Sequence, residues 1–194
     1  KAICLQNELK FIEVEWMGYA KTKNYANTLA SCDYILSMDA DEALSDSLKK
    51  NIQVHKYKGF DADAYKINRL TNYCGKFIYH SGWYPDQKMR LWKKGIGSWQ
   101  GLIHEDVKLK SESKVLKLNG DILHYSYYTI NEHLQQMMKF TDLMAVDLQN
   151  KKKEIPFSKL VFSPGIKFLK SYFIQGGFRD GFYGFIVCVL SSVA

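Results

Sequence analysis

An apolar run that ends in crowded acids constrains this chain more than any other feature. "YILSM" (Tyr34 to Met38) reads as a buried strand, and "DADEALS" follows it with Asp39, Asp41 and Glu42 inside four positions. Like charges so close repel one another, and a strand end is a partly buried place to put them. The arrangement becomes favourable when a divalent cation neutralises it. Mg²⁺ and Mn²⁺ prefer hard oxygen ligands and often take one or two carboxylates plus substrate phosphates. Alternate side chains of an extended backbone point the same way, so Asp39 and Asp41 can face one site, with Ala40 between them leaving room for a ligand. The plain alternative is an exposed acidic turn that caps the following helix.

The segments around the cluster point to an α/β chain. "FIEVE" (Phe11 to Glu15) alternates apolar and charged residues like a short strand, and "KTKNYANTLASC" reads as a helix before the strand at Tyr34. Ser45 is placed to cap a helix through "DSLKKNIQVHK". That order of elements predicts a parallel sheet built from crossover units. From about Asp61, β-branched and aromatic residues broken by glycine predict antiparallel strands and turns, with "DILHYSYY" as one more strand. From Ile130 the period becomes helical. Ile130, Leu134, Met137, Met138, Thr141, Met144, Ala145 and Leu148 share one face, which reads as core packing.

The chain has 194 residues, enough for a sizeable core, and its net charge of +7 favours anionic partners such as nucleotides, phosphates or acidic lipid. Its one dense basic run, Lys151 to Lys153, is too short for a nucleic-acid groove, and no nucleic-acid motif accompanies it, so nucleic acid is not expected as a partner. The four cysteines are far apart without C-x-x-C spacing, which fits a reducing compartment rather than a zinc site or disulfide framework. No stretch approaches the roughly 20 apolar residues that span a bilayer. Because the chain opens on Lys1 in a segment with no signal-peptide pattern, its first elements are expected to belong to a fold already under way.

Two reaction classes use an aspartate pair at such a strand end. Haloacid-dehalogenase-like hydrolases place a nucleophilic aspartate first, but their pattern wants Thr two residues after the second Asp, where this chain has Ala43. The second class is glycosyl transfer from a nucleotide sugar, and the neighbouring residues favour it. "EWMGYAKTKNYANTLASCDYILSMDADEALS" resembles the family 2 glycosyltransferases, in particular bacterial enzymes of lipopolysaccharide-core and related glycan assembly. The pattern is carried by Trp16, Gly18, Tyr19, Lys23, Asn24, Ala26, Asp33 and Asp39 to Glu42, and continues in "GWYPDQKMRLWKKG", "GLIHEDV" and "LHYSYYTINEH". The family's first strand and its D-x-x-S-x-D segment are absent from this sequence.

The resemblance implies a Rossmann-like GT-A fold, a mixed sheet with flanking helices and a helical C-terminal region. Residues 1–150 would form the catalytic domain, lacking its N-terminal strands, and 151–194 a helical, membrane-associated extension. It implies a cytosolic nucleoside-diphosphate sugar as donor, Mn²⁺ or Mg²⁺ as cofactor, inversion at the anomeric carbon, and a glycan or lipid-linked acceptor. By the resemblance Asp39 contacts the nucleoside side of the donor, Asp41 holds the metal on the diphosphate, and Lys23, Asn24 and Ala40 lie close to the donor. Inversion requires a general base for the acceptor hydroxyl; "IHED" offers Glu105 first and Asp106 second. His124 resembles the late histidine that several GT-A enzymes supply to the metal, although a lone histidine is more often a satisfied structural residue. Arg90 could pair with the diphosphate or face solvent. Trp83, Tyr84 and Trp99 could stack on a sugar ring, and core packing accounts equally well for any one of them. "KFLKSYFIQGGFRDGFYGF" mixes basic and aromatic residues as an interfacial helix on an anionic membrane does. A non-catalytic, membrane-associated member of the fold is the reading from outside enzyme chemistry.

Overall fold

A computed structural model describes residues 2–101, 105–150 and 156–193. The chain forms two compact units that alternate along the sequence. The first comprises Lys1–Ser37, Asp61–Tyr65 and Met89–Leu116; the second comprises Met38–Phe60, Lys66–Lys88 and Lys117–Ala194. The strands are β1 (Tyr34–Leu36), β2 (Glu42–Leu44), β3 (Ala64–Tyr73), β4 (Lys76–Phe77), β5 (Asp86–Lys93), β6 (Gly97–Gln100), β7 (Asp106–Leu109) and β8 (Val115–Tyr127). The main sheet has the order β1-β5-β3-β8-β2 with β4 on β3, and β6 and β7 form a separate pair.

The sheet is mixed, consistent with a Rossmann-like GT-A architecture. β1 pairs antiparallel with β5, and β2 antiparallel with β8. β3 and β8 run the same way, since Ala64 N–H donates to Lys114 O at one end and Cys74 N–H to Tyr127 O at the other. The parallel crossover pairing expected for the first elements is not seen at β1 or β2, which both pair antiparallel. "FIEVE" is irregular: Phe11, Ile12 and Val14 are all exposed, so its alternation has no core to face.

In the first unit, helices α1 (Ala2–Gln6) and α2 (Tyr19–Leu29) precede β1. The core there is Ala64, Trp92 and Trp99, with Ile35, Met89, Val107 and Leu109 packed on it. In the second unit, α3 (Asp46–Lys58) begins where the sequence predicts: Ser45 Oγ accepts the Leu48 N–H, Asp46 sits in the first turn, and His55, Lys56 and Lys58 occupy the last. α3 packs onto β8 at Gly120, where a Cβ would come within 2.5 Å of the Leu48 backbone nitrogen. Only glycine permits that approach.

Helix α4 (Ile130–Asn150) starts with a reciprocal cap. Thr129 Oγ1 accepts the Glu132 N–H, and Glu132 Oε2 accepts the Tyr128 and Thr129 N–H groups. Its apolar stripe is only half used. Ile130, Leu134 and Met137 are half-buried beside buried His133, whereas Met138, Thr141, Met144 and Ala145 are exposed. The core reading of that stripe holds for Ile130, Leu134 and Met137 and again for half-buried Leu148, and fails for the exposed positions between them. Helix α5 (Phe157–Leu169) runs through a π-turn (Lys170–Ile174) and a 3-10 turn (Gly177–Asp180) into α6 (Gly181–Val193). A second core, Tyr73, Ile78 and Val187 with Trp83, Tyr127 and Tyr183, joins α6 to β3.

Candidate active site

The acidic cluster is a closed turn rather than the end of an extended strand. β1 stops at Leu36, and the Glu42 N–H donates to Asp39 O at 3.1 Å across Ala40 and Asp41. Asp39 thus occupies the first position of a β-turn, where aspartate is favoured, and Asp41 the third. Glu42 locks the turn from the other side: its Oε2 accepts the Asp39 N–H at 2.9 Å. The expectation that strand alternation aims Asp39 and Asp41 together is corrected by this geometry. Turn and strand pairing orient them instead.

Strand β2 then places the turn on β8. The register sets Glu42 opposite His124, and Tyr125 N–H donates to Asp41 O at 2.9 Å. Asp41 Oδ2 therefore lies 3.1 Å from His124 Nε2. Ser126 Oγ lies beside the imidazole, 2.7 Å from Nδ1 and 3.3 Å from Nε2, and restrains the ring next to the carboxylate. Asp41 is 47% exposed and His124 17%. Burial is the first cause that lowers the pKa of His124, and the charge of Arg69 the second; Asp41 and Glu42 oppose them. A neutral imidazole is the form that ligates metal. An oxygen and a nitrogen ligand side by side, half open to solvent, suit a divalent cation whose other positions go to phosphate oxygens and water. No cluster of three or more such ligands exists among the described residues.

Arg69 carries no motif that marks it in the sequence. On β3, its Nε and Nη2 reach Asp86 Oδ2 at 3.0 and 2.8 Å, and Lys88 Nζ reaches Asp86 Oδ1 at 3.2 Å. Asp86 and Lys88 lie inside the quoted "GWYPDQKMRLW", but nothing in one sequence pairs that motif with Arg69.

Trp83 and Tyr84, in the same unit, are tied into the fold. Trp83 is half-buried, edge-on to Tyr73 and His133. Tyr84 donates its hydroxyl to Asp121 at 2.9 Å and accepts from Asn68 Nδ2 at 3.2 Å. Burial, then the Asp121 carboxylate, raises its pKa.

In the first unit the remaining candidates converge on Trp99. Asn24 Nδ2 donates to Trp99 O at 2.9 Å, while Asn24 Oδ1 accepts the Trp99 N–H at 2.8 Å. The amide thus replaces a strand partner on that face of β6. Lys23 Nζ sits 4.4 Å and the Arg90 guanidinium 5.7 Å from the Trp99 ring centre, with Trp92 edge-on at 5.9 Å. Trp99 is 6% exposed, and Arg90 is buried. Asp106 opens β7 opposite Gln100 with an exposed side chain, and Glu105 just before it is half-buried. His104 lies outside the described residues.

Over 95% of its length the chain is 28% identical to an uncharacterised glycosyltransferase of Rickettsia typhi. It is 28% identical over 92% of its length to a second such protein from Rickettsia prowazekii. It is also 25% identical, over 95% of its length, to the lipopolysaccharide core biosynthesis glycosyltransferase LpsC of Rhizobium meliloti. The chain is thus similar, at 25–28% identity, to proteins named as glycosyltransferases. It spans 67%, 65% and 69% of those three proteins, about two-thirds of their length. No protein-family model matches it.

Proposed function

We propose that this chain belongs to an inverting, metal-dependent glycosyltransferase of the family 2 type. It moves a sugar from a nucleoside diphosphate to a glycan or lipid-linked acceptor in cell-envelope or lipopolysaccharide assembly. The observation that carries the reading is the Asp41–His124 pair, held by the Glu42-locked turn and by Ser126.

Asp41 and His124 would hold Mn²⁺ or Mg²⁺ against the donor diphosphate, where the cation offsets charge on the leaving group. Asp39 and Ala40, exposed or half-exposed on the same turn, would meet the nucleoside side of the donor. Lys23, Asn24 and Arg90 act in this reading as donor-side residues, with Asn24 holding Trp99. Trp83 and Tyr84 would face the acceptor, and Trp99, 6% exposed, would support the candidates of its own unit from the core. The acceptor oxygen bonds to the anomeric carbon as the bond from that carbon to the diphosphate oxygen breaks. Its proton passes to Glu105, with Asp106 as second candidate. The enzyme works on the cytoplasmic side and touches the membrane surface peripherally.

Titration with a panel of nucleoside-diphosphate sugars in Mn²⁺, with donor hydrolysis followed in parallel, tests the reading. Turnover of simple phosphate esters without donor binding would favour the aspartate-dependent phosphohydrolase, which Ala43 already disfavours. Absence of both would favour a non-catalytic member of the fold.

A further inference from the structure

The C-terminal segment is fastened in one part and open in another. The turns between α5 and α6 are fastened to the loop between β4 and β5. Asp180, 3% exposed, accepts the Tyr79 N–H at 3.2 Å, the His80 N–H at 2.8 Å and the His80 Nδ1–H at 2.9 Å. Ser81 N–H donates to Gln175 O at 3.1 Å. Gly177 lets the chain pass, since a Cβ there would meet Cys188 Sγ at 2.5 Å and Ser81 Oγ at 2.8 Å. These contacts bridge about a hundred residues of sequence and fix the "HSGWYP" loop that carries Trp83 and Tyr84.

Helix α5, by contrast, buries no residue, and its apolar side chains stand exposed among the described residues. Phe162, Ile166, Leu169 and Phe173 lie three or four residues apart, so they form one stripe, and each is between 56% and 66% exposed. Phe182, at the start of α6, is equally open. An amphipathic helix normally turns such a stripe inward, and here it points out. Lys159, Lys167 and Lys170 flank the stripe, and Arg179 follows. From Pro156 to Val193 the only acid is Asp180, which is buried against His80. No helix among the described residues is long and apolar enough to cross a membrane. An apolar stripe too short to span, bordered by cations without opposing acids, has the chemistry of an interfacial helix on anionic lipid.

We infer that the Phe162–Phe173 stripe docks on an anionic bilayer surface, and that the Asp180 clamp holds the His80–Tyr84 loop in fixed register with the docked helices. The fold thereby couples the membrane surface to the segment that would receive a lipid-linked acceptor. The acceptor role rests on the glycosyltransferase reading; the docking does not, so its test uses neither donor nor acceptor.

The test is flotation of the chain with phosphatidylcholine vesicles, with and without phosphatidylglycerol. Binding is expected only with the anionic lipid. It should be lost in the double variant Phe162→Glu/Phe173→Glu, whose exposed positions leave the fold and its circular dichroism intact. Lys167→Ala and Lys170→Ala should each weaken binding about fivefold, less at high salt. Asp180→Asn should leave flotation unchanged but raise hydrogen exchange at Tyr79 and His80 by about tenfold or more. Three results would overturn the inference: no flotation with either vesicle, flotation indifferent to the glutamates, or a glutamate-sensitive dimer that does not float. Unchanged exchange in Asp180→Asn would overturn the coupling.

Discussion

Asn24 and Asp41 are both candidate donor-side residues, yet the two compact units treat them in opposite ways. In the first unit the Asn24 amide spends both of its polar atoms on the Trp99 backbone, beside a buried indole. In the second, Asp41 keeps a half-exposed carboxylate against one imidazole on a turn that other residues already hold. A side chain that completes a neighbour's backbone bonding is costly to remove and poorly placed to exchange partners. One whose surroundings are satisfied without it can take a ligand. The first unit here builds a support, and the second leaves a site open.

Substitutions that break the contrast should rank by what they leave unsatisfied. Trp99→Ala empties the core of the first unit and should cost about 3–5 kcal/mol in urea unfolding. Asn24→Ala leaves a part-buried N–H and carbonyl of Trp99 without their partner, and should cost roughly 2–4 kcal/mol by the same measurement. Asp41→Ala should change stability by less than about 1 kcal/mol, because an exposed pair contributes little. A loss of stability for Asp41→Ala as large as that for Asn24→Ala would erase the distinction.

The smallest effect concerns pH. Burial lowers the pKa of His133, which is hydrogen-bonded to Tyr73 at 3.0 Å. The unfolded chain binds that proton near pH 6.5, and the folded chain only at lower pH. Unfolding free energy should therefore fall as pH drops below about 6.5. His133→Gln should flatten that slope in denaturation series between pH 7.5 and 5.5.

Local chemistry was legible in the sequence. Ser45 announced α3, the period change at Ile130 announced α4, and the run of aromatic and β-branched residues after Asp61 announced the long strands. What it could not carry were pairings between distant segments. That β2 lies on β8, and so brings Asp41 to His124, depends on a three-residue strand hidden in "EAL". Arg69 with Asp86 and His80 with Asp180 are likewise long-range choices. The D-x-D spacing suggested two side chains on one extended face, but Glu42 folds the segment into a turn. The stripe on α4 shows the reverse limit, since periodicity identifies an apolar face without saying what covers it.

The central claim is that Asp41, with His124, holds a cation on a nucleotide diphosphate. Calorimetric titration of the chain with nucleoside-diphosphate sugars, in Mn²⁺ and again in EDTA, tests it most directly. The account predicts donor binding that needs Mn²⁺ and weakens at least tenfold, about 1.4 kcal/mol, in Asp41→Ala while the fold stays intact. Donor binding that persists unchanged in EDTA and in Asp41→Ala would contradict it.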